Sequence, residues 1–303
     1  LTIGLANVCF WRCQKTYPVA ARVVNPSGEW ETKQNQDLNM KYTYEEMAKM
    51  IDHSLLHPTM TDQDIEEGCR LAAEYDVASV CIKPYAVKRA ATFLKGSNVK
   101  VGAVIGFPHG NSTTESKRYE TELACKDGAV EIDMVINIGK AMSGDWDYVE
   151  SDVKAVCDEA HAHGAKVKVI FENDYLTEGG AGLGSDDFKR KLCKLSERAG
   201  VDWVKTSSGY GFVKGADGKY SYKGATEHDL SLMRANVSAK VQVKAAGGVR
   251  DLDGLIKVRD LGGSRCGATA TAAMLDDYRK RAAAEKAGAS QPTDEGKIGS
   301  GGY

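Results

Sequence analysis

The stretch Val201-Asp202-Trp203-Val204-Lys205-Thr206-Ser207-Ser208-Gly209-Tyr210-Gly211 decides how this chain is read. Its first half has the branched and aromatic character of a buried strand, and its second half is a polar loop with two glycines. One lysine, Lys205, stands where strand passes into loop. Burial disfavours an ammonium ion, so a lysine there is paired, snorkels its head into the loop, or is used. The same burial frees the amine as a nucleophile toward carbonyl groups. From this stretch alone, a structural and a catalytic lysine both stay open.

Outward from it, the chain repeats one unit of apolar strand, loop and amphipathic helix. Strands are expected over 51–55, 78–82, 99–105, 131–136, 166–171, 202–206, 241–245 and 265–267. Helices are expected over 61–75, 113–126, 145–163, 185–199, 252–261 and 271–285, with another starting near Thr226 and Pro84 opening the one after the second strand. Thr61 and Asp64 form a relative of the capping box, and Gly164 and Gly200 are helix stops. Eight such units in roughly 240 residues predict a closed (β/α)8 TIM barrel, with a doubly wound open sheet as the alternative. A short helix over 44–50 precedes the first strand, and 214–223 reads as a hairpin across Asp217-Gly218. The organisation expected is an N-terminal extension of unassigned role over 1–40, the barrel over 41–285, and a flexible tail over 286–303 ending in Tyr303.

Composition narrows the class. With 42% hydrophobic and 27% charged residues and a formal net charge of -2, the 303-residue chain reads as globular. There is no basic stripe for nucleic acid and no apolar run of membrane-spanning length. The eight cysteines are scattered through apolar patterns, which suits reduced thiols and a cytoplasmic setting. Cys9 and Cys13 form the one close pair, without the partners a zinc set needs. His53 and His57 are four apart, but in a strand and its turn, so no metal is assigned. The dinucleotide fingerprint, the P-loop and the G-x-S-x-G elbow are all missing.

A barrel of this kind carries its site at the C-terminal ends of the strands. Asp52, Asp133, Lys168, Glu172, Lys205 and Lys244 stand on or near those ends. Alternation is expected to put Lys168, Ile170 and Glu172 on one face. Each alone has a structural role open to it; together they suggest a network in which one lysine is kept neutral by the charge of another. Two glycine-rich turns, Ala246-Gly247-Gly248 and Gly267-Ala268-Thr269, follow the last two strands, where barrels bind phosphate on backbone N–H groups. Tight turning alone also accounts for those glycines.

Seven stretches, in order, give these residues a resemblance. They are Ile51-Asp-His-Ser-Leu-Leu-His-Pro58, Val80-Cys-Ile-Lys-Pro84, Gly106-Phe-Pro108, Glu131-Ile-Asp-Met-Val135, Lys168-Val-Ile-Phe-Glu172, Val204-Lys-Thr-Ser-Ser-Gly209 and Val243-Lys-Ala-Ala-Gly-Gly-Val-Arg250. In them the chain resembles the deoxyribose-phosphate aldolases, a class I, Schiff-base family of barrel enzymes. The resemblance implies that Lys205 forms the Schiff base, Lys244 lowers its pKa and Asp133 relays protons. It places Asp52, Cys81 and Lys168 in the pocket, and Gly209, Gly247, Gly248, Gly267 and Thr269 around the substrate phosphate. Tyr303 is similar to a C-terminal tyrosine that assists proton transfer in some members. The implied reaction is reversible cleavage of 2-deoxy-D-ribose 5-phosphate to acetaldehyde and D-glyceraldehyde 3-phosphate. No metal or organic cofactor is implied, and a homodimer or tetramer is. Two other readings are another Schiff-base aldolase with a different or less charged substrate, and a catalytically silent barrel that binds a sugar phosphate.

Overall fold

The structure is a computed structural model that describes residues 40–215, 217–287 and 298. The expected extension before residue 40, and Tyr303 with nearly all of the tail, lie outside the described residues. What the strand–helix rhythm builds is a closed barrel of eight parallel strands: β1 (Ile51–Leu55), β2 (Ser79–Ile82), β3 (Lys100–Ile105), β4 (Glu131–Val135), β5 (Lys166–Ile170), β6 (Trp203–Lys205), β9 (Gln242–Ala246) and β10 (Arg265–Ala268). β1 pairs with β2 on one side and β10 on the other, which closes the ring and excludes the open sheet. The remaining two strands, β7 (Val213–Lys214) and β8 (Tyr220–Ser221), form the antiparallel hairpin expected within the loop after β6.

Strand alternation sorts the residues. Outward positions such as Ile51, Leu55, Val80, Ile132, Met134, Val167, Val169, Val204 and Val243 join one aliphatic layer between barrel and helices. Each such side chain, once buried, contributes about 1.5–3 kcal/mol, so this layer carries the fold. Inward positions are largely polar or charged, and the barrel interior is therefore not a second aliphatic core.

Local signals set the ends. Thr61 and Asp64 make a reciprocal capping box on the helix Asp62–Glu74, and Thr226 caps Glu227–Asn236. Gly200 takes φ 93° to end Ser185–Ala199, a conformation open to glycine at little cost. Among the described residues one α-helix escaped the sequence reading. Ile138–Met142 is a five-residue turn whose Asn137 cap accepts the Lys140 N–H, too short for periodicity to register.

Candidate active site

The inward residues of β4 are Glu131 and Asp133, alternating with the outward Ile132 and Met134. Parallel pairing sets Asp133 beside Lys168 of β5, and Lys205 of β6 beside Lys244 of β9. Register alone thus collects charge in the barrel.

The contacts form one network. Lys168 Nζ donates to Glu131 Oε2 at 2.6 Å and Asp133 Oδ1 at 3.0 Å, and lies 3.1 Å from Asp52 Oδ2. Lys244 Nζ is 2.6 Å from both Asp52 Oδ2 and Asp133 Oδ2. Lys205 Nζ donates to Asp133 Oδ2 at 2.7 Å. Below them Arg265 reaches Asp52 Oδ1 at 2.5 Å and grips Glu131 through both Nη atoms at 3.0 and 2.7 Å. Lys168, Lys244, Asp52 and Asp133 have no exposed surface, and Lys205 is 2% exposed.

Such burial makes each protonation state depend on its partners. Burial alone raises the pKa of Asp133, but Lys168, Lys205 and Lys244 overcome it and hold the carboxyl well below the usual range. Asp52 is held down likewise by Lys168, Lys244 and Arg265 against burial. For Lys244 and Lys168, burial works toward the neutral amine, yet the carboxylates around them win and keep both charged. Lys205 goes the other way. Burial lowers its pKa, Asp133 opposes, and the Lys244 charge adds to the lowering. Of the three lysines in the network, Lys205 is the one whose surroundings shift it toward the neutral, nucleophilic form.

Beside it stands an apolar wall of Leu56, Cys81 and Val104, with Phe107 and Tyr210 packed against it. The two rings meet edge to face with centroids 5.6 Å apart. The Cys81 thiol is pushed up to about 11, by burial first and then by Asp133, so it acts as a small neutral lining group.

The loops above the barrel are tied together. Gly209, Gly247 and Gly248 have φ of 91°, 85° and 82°. A side chain at Gly247 would meet the Tyr222 ring at 2.8 Å, and Tyr222 is hydrogen bonded to the Gly248 backbone. Asp174 accepts the Lys223 and Gly224 N–H groups at 2.5 and 3.0 Å, which fixes the return of the β7–β8 hairpin over these loops.

The structure thus gathers Asp52, Cys81, Asp133, Lys168, Lys205 and Lys244, and sets Gly209, Gly247 and Gly248 at the strand ends above them. Two expectations are corrected. β10 runs through Ala268, so Gly267, read both as the last residue of the strand and as the first of the turn, lies in the strand, where a side chain would meet Lys244 Cε at 3.6 Å. That is an ordinary contact, so Gly267 neither cradles a phosphate from a turn nor clears space for the lysine; exposed Thr269 follows the strand's end. Glu172 does not continue the alternation of Lys168 and Ile170. β5 stops at Ile170, Glu172 takes φ 58°, and its carboxyl accepts the Ser208 N–H at 3.0 Å and shares a hydrogen bond with the Ser208 hydroxyl. His53 and His57 diverge, His53 Nδ1 to Thr271 Oγ1 at 2.9 Å and His57 Nδ1 to Thr59 Oγ1 at 2.7 Å. The sequence reading missed Glu131 and Arg265 as members of the network. Parity held the signal, since Glu131 is two before Asp133 and Arg265 two before Gly267.

Comparison with known proteins identifies relatives of this chain. The profile of the DeoC/LacD family aldolases matches residues 46–278. A deoxyribose-phosphate aldolase from Rhodopirellula baltica is 50% identical over 240 residues, spanning 79% of this chain and 92% of the relative. One from Clostridium perfringens is 45% identical over 232 residues, spanning 77% and 95%. Among solved structures, the tetrameric deoxyribose phosphate aldolase from Aeropyrum pernix superposes with a TM-score of 0.67 at 27% identity, covering 78% of this chain and 92% of that one.

Proposed function

The chain belongs to the DeoC/LacD aldolase family, and on that premise we propose that it reversibly cleaves 2-deoxy-D-ribose 5-phosphate to acetaldehyde and D-glyceraldehyde 3-phosphate through an imine on Lys205. The observation that carries the assignment is the hold on Lys205. Lys168 and Lys244 are each held by more than one carboxylate, whereas Lys205 has one oxygen, shared with Lys244.

In this reading the Lys205 amine attacks the C1 aldehyde of the open-chain sugar, and the carbinolamine loses water to give a protonated imine. The C3 hydroxyl loses its proton and the C2–C3 bond breaks, its electron pair moving into the imine as an enamine. The three-carbon phosphate leaves as an aldehyde. Protonation of the enamine at C2 gives the acetaldehyde imine, and water releases the product and the amine. In the same reading Asp133 passes protons between the lysines and the reacting atoms, a role supported by its 2.7 Å contact with Lys205 Nζ and 2.6 Å contact with Lys244 Nζ. Lys244 supplies the charge that disfavours an ammonium at Lys205. The wall of Leu56, Cys81 and Val104 suits the methyl group of acetaldehyde. Backbone N–H groups of the Gly209 and Gly247–Gly248 turns are the proposed phosphate cradle, with Thr269 at its edge. For Tyr303 the support is the resemblance.

Tyr222, hydrogen bonded to the Gly248 backbone, favours a second reading in which the substrate carries less charge. Comparing kcat/KM for 2-deoxyribose with and without the 5-phosphate decides between them, a large phosphate preference supporting the first. The Schiff base itself is tested by borohydride reduction with acetaldehyde and peptide mass analysis. An adduct on Lys205 is expected; folded protein with no lysine adduct would sink the mechanism.

We also propose a homo-oligomer, supported by the tetrameric relative. A cytoplasmic setting is supported by Cys69, Cys81, Cys125, Cys157, Cys193 and Cys266, all of them free thiols. No helix among the described residues is long and apolar enough to cross a membrane.

A further inference from the structure

At the first positions of β4 and β10 sit Glu131 and Arg265, a pair that the proposed reaction does not use. Arg265 is 8% exposed and Glu131 1%. Their bidentate contact is backed by Trp203, whose ring lies 5.3 Å from the Arg265 guanidinium and 5.7 Å from Lys168 Nζ. A buried ion pair of this kind is rarely a net source of stability, because desolvation of both ions offsets their attraction. A second role is worth seeking.

The connectivity supplies one. The interior holds three carboxylates, Asp52, Glu131 and Asp133, and four cationic side chains, Arg265, Lys168, Lys244 and Lys205. One cation is in excess. Arg265 cannot give up its proton. Lys168 touches all three carboxylates, and Lys244 touches Asp52 and Asp133. Lys205 touches Asp133 alone, through an oxygen that Lys244 also uses. The excess therefore falls on Lys205.

We infer that Arg265 and Glu131 are positioning residues for the reaction: by fixing the charge balance of the barrel interior, they leave Lys205 as the amine of this network without a counter-charge of its own. Arg265 occupies Glu131 and one oxygen of Asp52. Without it those carboxylates turn their full field on Lys168 and Lys244, and Asp133 is released to hold an ammonium at Lys205. Without Glu131, Lys168 and Arg265 lean harder on Asp52 and Asp133, and Lys205 is held less. Other charged or titratable groups near the chain of contacts are Cys81 from β2, Cys266 from β10, Glu172 beyond β5, and Lys100, which approaches Glu131 from the half-exposed rim at 3.7 Å. None of these is substituted in the variants below.

The inference rests on Lys205 being the imine-forming amine. Its test is the acidic limb of the pH profile of kcat/KM for 2-deoxyribose 5-phosphate, in enzyme shown by borohydride trapping to form the adduct on Lys205. Arg265→Met is expected to move the limb to higher pH, and Glu131→Gln to lower pH, each by roughly half a unit to one unit. The double variant Arg265→Met/Glu131→Gln again has one cation in excess, so its limb returns toward the wild-type position. Arg265→Lys, which keeps the charge, leaves the limb in place. A purely structural pair would lower activity in both single variants without opposite shifts, and limbs that stay put or move the same way overturn the inference. If Arg265→Met does not fold, Glu131→Gln and Arg265→Lys carry the test: a Glu131→Gln limb that is unmoved or raised overturns it. Wild-type enzyme that forms no Lys205 adduct sinks the imine mechanism first; a wild-type adduct with unmoved limbs sinks this inference alone.

Discussion

Lys205 and Lys244 are register partners across adjacent strands, and their Nζ atoms share a single oxygen, Asp133 Oδ2, at 2.7 and 2.6 Å. Two ammonium ions on one oxygen is an unstable arrangement in a buried site. Lys244 has a second carboxylate, which holds its proton, whereas Lys205 has no second one and its pKa is lowered.

Lys244→Leu removes the neighbouring cation and leaves Asp133 to hold an ammonium at Lys205. The Lys205 pKa then rises, so the acidic limb of kcat/KM moves to higher pH by about one unit or more. The rate at neutral pH falls by at least about tenfold, in step with the lost free amine. A pH–rate series checks this; an unmoved limb would remove Lys244 from its assigned role.

Lys205→Ala is expected to lower turnover by on the order of a thousandfold or more, as loss of a nucleophile does. The fold should survive, because Asp133 keeps its contacts with Lys168 and Lys244. Circular dichroism and kinetics on the same preparation separate the two effects, and near-normal turnover would reassign the nucleophile.

Glu172 is a pH-dependent brace. Burial pushes its carboxyl from 4.5 up to about 7, while its bonds to Ser208 oppose the shift. The native state binds the proton more tightly than the unfolded chain, so this contribution is fully present below about 4.5 and is lost as pH rises through about 7. The loss is on the order of 3 kcal/mol. A neutral amide mimics the protonated acid, so Glu172→Gln should flatten the stability profile between about pH 5 and 8. Denaturant melts across that range measure it, and parallel profiles for the two proteins would contradict the assignment.

The buried pair Lys117–Asp152 supports the end of β4. Lys117 Nζ is 2.5 Å from Asp152 Oδ2 and donates to the Val135 carbonyl at 2.9 Å, two residues beyond Asp133. Its stem also fills the space beside Gly106, where a Cβ would meet Lys117 Cε at 2.8 Å. Lys117→Met leaves Asp152 buried without its counter-ion and should cost about 3–5 kcal/mol. Lys117→Met/Asp152→Leu should recover most of that loss in urea titrations. Equal losses in the single and double variants would show that the charge is not the cause.

Much of this was legible in residue order because it depends on local spacing. The period of apolar positions marks strands and helices, Thr61 with Asp64 marks a helix start, and Asp217-Gly218 marks the hairpin, where Gly218 takes φ 79°. Lys205, Lys244 and Asp133 were visible because a charged residue inside an apolar strand is conspicuous whatever surrounds it. Gly267 was read as both strand and turn because a glycine at a strand end looks the same in either. Glu172 was misplaced because alternation says nothing about where a strand stops.

Residue order by itself determined the strand–helix repeat, the parity that sends charge inward and aliphatic side chains outward, and the kinds of chemical group at the strand ends. The closed barrel alone decided which of them meet. Arg265 and Glu131 are 134 residues apart and touch because ring closure brings β10 and β4 to face one interior. The interior they share holds one more cation than carboxylate, and charges there are poorly screened. It is this imbalance, a property of tertiary packing and not of any single stretch, that favours the uncharged amine at Lys205.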